Sequence, residues 1–264
     1  MVEIADIRAP LFVPATRPER FAKAAISGAD AVILDLEDAV AADAKDAARA
    51  ALSKDFTGLP VLVRVNAHGT PFHSADIAAV ARLLPAAVLL PKAETVDAVA
   101  SVVGGLPGVA VIAIIESALG LANARKIASA PGVVRLAFGS LDYCVDLGCT
   151  HLREVLLPVR AELVLASRLA GIAAPIDGVT AQMNDLGVVF DDALHAHHLG
   201  MTGKLCIHPR QIEEVMRAFA PSEDEIAWAR RVLASGDGAA SVDGAMVDEP
   251  VRLRARAILA QLQS

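Results

Sequence analysis

The chain has 264 residues, 55% of them hydrophobic but only 3% aromatic, and a formal net charge of −7. That length suits one large α/β domain better than two small ones. The acidic balance, with no basic run and no interleaving of basic and aromatic residues, argues against nucleic acid as a partner.

The opening residues, Met1-Val2-Glu3-Ile4-Ala5-Asp6, carry no basic-then-apolar leader pattern. In chain order, Leu11–Pro14 predicts a short first strand and Pro18–Ser27 a helix ending at Gly28. Ala31–Asp38 predicts a second strand with three carboxylates in its last four residues. Ala41–Leu52 has the pattern of an amphipathic helix. Val61–Asn66 is the third strand and Ser74–Leu83 a helix. Ala87–Lys92 is the fourth strand and Val96–Val103 a helix. Ala98 to Ile115 is uncharged, but Gly104-Gly105-Leu106-Pro107-Gly108 breaks it into helix, turn and strand, so no membrane span is expected.

Val111–Ile115 ends abruptly at Glu116, a helical segment follows over Ala118–Ala130, and Val133–Phe138 ends in Gly-Ser-Leu-Asp at Asp142. This is strand, helix, strand, with a carboxylate past the end of each strand. Two hard oxygen ligands suit Mg²⁺, which usually takes one or two carboxylates, waters and substrate oxygens. The alternative is that Asp142 or Ser117 simply caps a helix. Arg153–Leu169 predicts a longer helix in which Pro158 should start a turn or make a kink. Ala174–Val179 is the seventh strand, Phe190–Leu199 a helix, and Gly203–Pro209 the eighth strand. Ser222 with Glu225 forms a capping box for a last barrel helix over Ser222–Ala234. Cys144, Cys149 and Cys206 make no disulfide framework, and a cytoplasmic enzyme is the expectation.

Eight strand-like runs alternating with helices predict a TIM (β/α)₈ barrel over residues 1–234, with a C-terminal extension over 235–264. The charges support it. Asp35, Glu37, Asp38, Arg64, Lys92, Glu94, Glu116, Asp142, Asp177 and His208 all lie late in a strand or just past it, where barrels build their sites. A doubly wound sheet is the rival, but Pro14-Ala15-Thr16-Arg17 is not the glycine-rich phosphate turn that it predicts.

Several motifs now stand together: Leu-Phe-Val-Pro at 11–14, Ser-Gly-Ala-Asp at 27–30, Leu-Asp-Leu-Glu-Asp-Ala-Val at 34–40 and Val-Arg-Val-Asn at 63–66. Leu-Pro-Lys-Ala-Glu at 90–94, Ile-Glu-Ser at 115–117, Phe-Gly-Ser-Leu-Asp-Tyr at 138–143, Ile-His-Pro at 207–209 and Asp-Gly-Ala-Met-Val-Asp at 243–248 complete the series. In that order the chain resembles the citrate lyase β-subunit-like branch of the malyl-, citramalyl- and citryl-CoA lyase family. It departs from the family at Ala15, where glycine often follows the proline. The resemblance implies a Mg²⁺-dependent carbon–carbon lyase acting on a β-hydroxyacyl thioester, with CoA or an acyl carrier as the thiol. It implies metal ligation by Glu116 and Asp142 and substrate binding by Arg64. It also implies that Asp248 enters the site of an adjacent subunit in a homotrimer.

Within that frame, Arg64 offers a fork of donors to a carboxylate or a developing oxyanion, or else a structural ion pair with Asp35, Glu37 or Asp38. Those three carboxylates are candidates for metal ligation, a catalytic base, substrate binding or anchoring of their neighbours; Asp35 and Glu37 share a strand face, with Asp35 expected to anchor and Glu37 to hydrogen-bond to metal waters or to Lys92. Lys92 is expected as an electrostatic anchor rather than a Schiff-base lysine, because nearby carboxylates keep it charged. Asp248 is the candidate acid for an enolate, against a simple turn-ending role. His208 contacts substrate or caps the strand end. Arg17, Arg20 and Lys23, near the first strand's mouth, are candidates for a CoA phosphate, against solvated helix charges.

Overall fold

The structure, a computed structural model, describes residues 2–236 and 240–262. Its first compact unit is Met1–Arg217. Eight strands lie there: β1 (Pro10–Pro14), β2 (Ala31–Asp35), β3 (Val61–Arg64), β4 (Ala87–Leu90), β5 (Ala110–Ile115), β6 (Val133–Phe138), β7 (Ala173–Asp177) and β8 (Gly203–Lys204). They pair in sequence order, every pair parallel. A bridge between Leu11 and Cys206 joins the last strand to the first, with Phe12 N donating to Cys206 O at 2.9 Å and Cys206 N to Pro10 O at 3.0 Å. This is the expected (β/α)₈ barrel.

The barrel interior is a cluster of inward side chains that includes Ile33, Leu62, Leu89, Ile112, Ile114, Ala137 and Ile176. The alternate positions Val32, Leu34, Val63, Val88 and Leu90 are also buried, so β2, β3 and β4 are buried on both faces. At the N-terminal end, Arg135 fills the barrel. It is 0% exposed and donates to the carbonyls of Ala174, Ile4 and Ile7 and to Thr202 Oγ1. Side chains alternate along a strand, so the inward register of Ile33, Leu62 and Ile114 runs on to Asp35, Arg64 and Glu116. The same spacing that packs the core delivers charge to the C-terminal mouth.

Two details differ from expectation. The eighth strand stops at Lys204, because His208 instead caps a 3₁₀ turn over Pro209–Gln211 and the Gln211 side chain takes the Ile207 N–H. Pro158 starts no turn but lies inside the continuous helix Arg153–Ala170; it is exposed, as is Glu154, whose carbonyl loses its helical partner there. The helix Glu223–Ala234 lies within the compact unit Ala218–Ser264.

In that second unit, Ala218–Ser264, Ala229 and Val232 pack with Val247, Ala255 and Ile258. A short hairpin pairs β9 (Ala240–Val242) with β10 (Ala245–Val247). Its turn residues Asp243 and Gly244 have φ of 54° and 78°, the left-handed pair that an Asp-Gly hairpin turn uses. The helix Glu249–Ala260 closes the unit. No described helix is long and apolar enough to cross a membrane.

Candidate active site

At the C-terminal mouth of the barrel a cavity of about 420 Å³ is lined by Asp35, Asp38, Arg64, Glu116 and Asp142, with an apolar wall that includes Phe12, Ile114, Val179 and Leu205. Another cavity of similar size lies beside it, around Arg153 and Arg160, but holds neither Glu116 nor Asp142. The mouth cavity gathers the charged residues that end β2, β3, β5 and β6.

Arg64 is anchored as a fork. Its Nε and Nη2 donate to the two oxygens of Asp35, both at 2.7 Å. The remaining Nη1 lies 3.1 Å from Glu37 Oε2 and 3.5 Å from Asp38 Oδ2, and the guanidinium stacks 4.8 Å from the Phe12 ring centroid. The contact to Glu37 Oε2 is an ion pair without hydrogen-bond geometry, and that buried oxygen has no donor among the described residues. Asp35 also accepts from the backbone N–H groups of Glu37 and Ala39, which fixes the turn that follows β2.

Lys92 sits between three carboxylates. Its Nζ donates to Glu37 Oε1 at 2.9 Å and lies 3.9 Å from Glu116 Oε1 and 3.8 Å from Asp142 Oδ1. Burial works against its charge, but Glu37 and then Glu116 outweigh burial and raise the ammonium above its ordinary range, which leaves it unsuited to a Schiff base. The Lys92 backbone has φ of 47°, a left-handed conformation that costs on the order of 1 kcal/mol outside glycine. In that conformation the Lys92 N–H reaches Glu116 Oε1 at 2.7 Å.

Glu116 is 4% exposed, and its carboxylate occupies space that only a glycine leaves open. A Cβ built on Gly139 would overlap Glu116 Oε2 and stand 2.5 Å from its Cβ and 2.9 Å from its Cδ. Burial, followed by the nearby charges of Glu37 and Asp142, pushes the Glu116 carboxyl up to about 8. Asp142 lies in the first turn of the helix Ser140–Leu147 with a 43% exposed side chain. It is not the cap of that helix. Ser117, by contrast, does cap: its Oγ accepts from Gly120 N at 3.1 Å.

Among the described residues no group of three His, Cys, Asp or Glu side chains forms a complete protein cage for a metal. The two hard carboxylates of Glu116 and Asp142 fit an ion that keeps several waters and takes substrate oxygens, which is the habit of Mg²⁺ rather than of zinc. Burial and the neighbouring charges of Glu37 and Asp142 disfavour the bare Glu116 carboxylate, and a bound cation would favour it.

Other predicted residues lie elsewhere. Glu37 and Lys92 are not among the residues that line the cavity; Glu37 Oε1 accepts from Lys92 Nζ and its Oε2 lies 3.1 Å from Arg64 Nη1. Arg17 donates to Glu19 at 2.6 Å, Arg20 lies 3.9 Å from the same carboxylate, and Lys23 is exposed; none of the three lines the cavity. His208 caps its turn, with Nδ1 accepting from Arg210 N. Glu94 is turned aside to Ser117 Oγ at 2.7 Å. Asp177 is 0% exposed between Arg160 and Lys204, at 2.7 and 2.8 Å. Asp248, in the second unit, caps the helix Glu249–Ala260 by accepting from Val251 N at 3.2 Å.

Sequence reasoning passed over Gly139 and Phe12, which shape the site without carrying chemistry. Gly139 was visible as the glycine inside Phe-Gly-Ser-Leu-Asp, but nothing in one sequence shows which side chain leans over it.

A sequence profile of the HpcH/HpaI aldolase/citrate lyase family matches residues 8–209. The citrate lyase subunit beta-like protein of Mycobacterium tuberculosis is 41% identical over 94% of this chain and 93% of its own length. The citrate lyase subunit beta of Leuconostoc mesenteroides subsp. cremoris is 37% identical over 96% of this chain and 92% of its own. The crystal structure of CitE from Mycobacterium tuberculosis in complex with magnesium, acetoacetate and coenzyme A superposes with a TM-score of 0.89 at 38% identity, covering 99% of this chain and 100% of that one. With the profile spanning most of the chain and relatives matching nearly all of it, this protein belongs to the HpcH/HpaI aldolase/citrate lyase family.

Proposed function

We propose that this chain is a Mg²⁺-dependent carbon–carbon lyase that cleaves a β-hydroxyacyl thioester of the citryl-, malyl- or citramalyl-CoA type by retro-Claisen chemistry. The observation that carries the reading is the convergence of Glu116, Asp142 and Arg64 on one cavity with an apolar wall. Glu116 and Asp142 would hold the ion. When bound, it supplies Lewis-acid polarisation and a template for the substrate's carboxylate and hydroxyl oxygens.

The chain's own residues account for the remaining tasks. Arg64, pinned by Asp35, presents Nη1 to the oxygen that gains charge as the hydroxyl becomes a carbonyl. Asp38, exposed within the lining, is the acceptor for the hydroxyl proton. The carbon–carbon bond breaks, and its electron pair passes to the thioester enolate. Asp248 of a neighbouring copy then protonates the enolate carbon; in condensation it removes that proton. Lys92 and Glu37 keep the arginine and the two metal-binding carboxylates in register. The thiol, CoA or an acyl carrier, enters past the mouth of β1, where Arg17, Arg20 and Lys23 offer cations to phosphate. A cytoplasmic homotrimer, with residues 235–264 of one copy over the barrel of the next, completes this reading.

The test is turnover of citryl-, malyl- and citramalyl-CoA with Mg²⁺, measured as released keto acid beside the free hydroxy acids. Cleavage that depends on the thioester supports the proposal. Equal cleavage of free acids transfers the chain to a metal aldolase acting without CoA, and Glu116→Ala with unchanged turnover and Mg²⁺ affinity removes the proposed centre.

A further inference from the structure

Lys45 opens the helix Lys45–Ala50, yet only 6% of it is exposed. Burying an ammonium is costly, and an apolar side chain of similar volume commonly fills such a place at no loss of stability. What surrounds this one is specific. Nζ donates to the carbonyl oxygens of Leu36 at 2.6 Å and Glu37 at 2.7 Å, and to Asn66 Oδ1 at 2.8 Å. Those three bonds use all the donors an ammonium has. The Phe72 ring covers it, with the centroid 5.4 Å from Nζ.

The acceptors belong to the segments that leave β2 and β3 for the catalytic mouth. Asn66 is itself fixed: its Nδ2 donates to Leu36 O and to Asp76 Oδ2, its backbone N–H to the same Asp76 oxygen, and Asp76 is paired with Arg49 at 2.8 Å. Thus the carbonyl of Leu36 is held from two directions and that of Glu37 by Lys45. On the other side of this peptide, the Glu37 carboxylate meets Lys92 Nζ and Arg64 Nη1.

We propose that Lys45 is a positioning residue for the cleavage reaction, clamping the Leu36–Glu37 backbone so that the Glu37 carboxylate holds Lys92 and Arg64 in place. The inference rests on the lyase reading for its kinetic consequence, but its structural consequence stands alone.

The test is a double-mutant cycle of Lys45→Met and Glu37→Gln, with Mg²⁺ affinity by calorimetry and a crystal structure of K45M. Misplacing a catalytic group by about 1 Å costs roughly 10²-fold, so K45M should lower kcat by about that factor while KM and Mg²⁺ affinity hold. In the E37Q background the same change should cost little. In the K45M crystal structure, Glu37 Oε1 should have left hydrogen-bond range of Lys92 Nζ. If K45M does not fold, Lys45→Gln, which keeps a donor in the same shell, enters the same cycle and crystal comparison. An undiminished kcat loss in the E37Q background, or a Glu37–Lys92 bond that survives in the variant's crystal structure, overturns the proposal. A wild-type protein that cleaves no thioester defeats the lyase reading, and the crystal structure still decides the clamp.

Discussion

Gly139→Ala isolates the position of Glu116 from every other feature of the site. Gly139 has φ of −90° and ψ of 72°, so alanine carries no left-handed penalty there. The new methyl group would overlap Glu116 Oε2 and approach its Cβ to 2.5 Å. Glu116 cannot swing away freely, because it is buried and its Oε1 is tied to the Lys92 N–H. Overpacking of this kind costs about 1–3 kcal/mol. At about 3 °C per kcal/mol, the melting temperature falls by roughly 3–9 °C. The larger effect is on the metal. Disturbing groups that orient a ligand typically costs about 10–100-fold in metal affinity, and a displaced Glu116 should do at least that. Calorimetric titration of Mg²⁺ into G139A and wild type, with melting curves on both, measures the two effects. A variant that melts with wild type and binds Mg²⁺ equally well would refute the packing of Glu116 over Gly139.

Three further outcomes are expected. Arg64→Lys keeps the charge but loses the fork to Asp35, so thioester cleavage should fall by about 10²–10³-fold with an unchanged circular dichroism spectrum; near-wild-type turnover would exclude a role for the guanidinium. Asp177→Ala strips the carboxylate from between buried Arg160 and Lys204 and should cost about 3–5 kcal/mol in urea titration, whereas a loss below about 1 kcal/mol contradicts the pairing. Burial alone would raise Asp192, but Lys204, Thr180 and Arg153 outweigh it and hold the carboxyl at about 2, against an ordinary 3.8. Its folded-state value is depressed, so its stabilisation is complete above the ordinary value and disappears as pH falls through the depressed one. The urea midpoints of wild type and Asp192→Asn should therefore converge between pH 4 and pH 2, and a constant gap across that window contradicts the assignment.

Much of this protein was legible before folding. Strands buried on both faces read as near-continuous apolar runs, so β2 to β5 stood out, and the abrupt charge at Asp35, Arg64, Glu116 and Asp142 marked the mouth. That signal is local: it needs only the two-residue alternation of a strand and the position of its end. The eighth strand was overdrawn because its closing contact, Leu11 with Cys206, spans nearly the whole barrel sequence. The capping box and periodicity of Glu223–Ala234 describe a helix, not the surface that it covers; its Ala229 and Val232 pack with Val247, Ala255 and Ile258.

The site divides in the same way. Residue types and strand ends name the carboxylates, Arg64 and Lys92 from the sequence alone. Which of them touch is a matter of tertiary structure. Glu116 lies over a glycine just past the end of the next strand, and Lys45 reaches back beneath the peptide of Glu37. Those contacts depend on how far the sheet curves before it closes, and curvature is a property of all eight strands together, which no short stretch encodes.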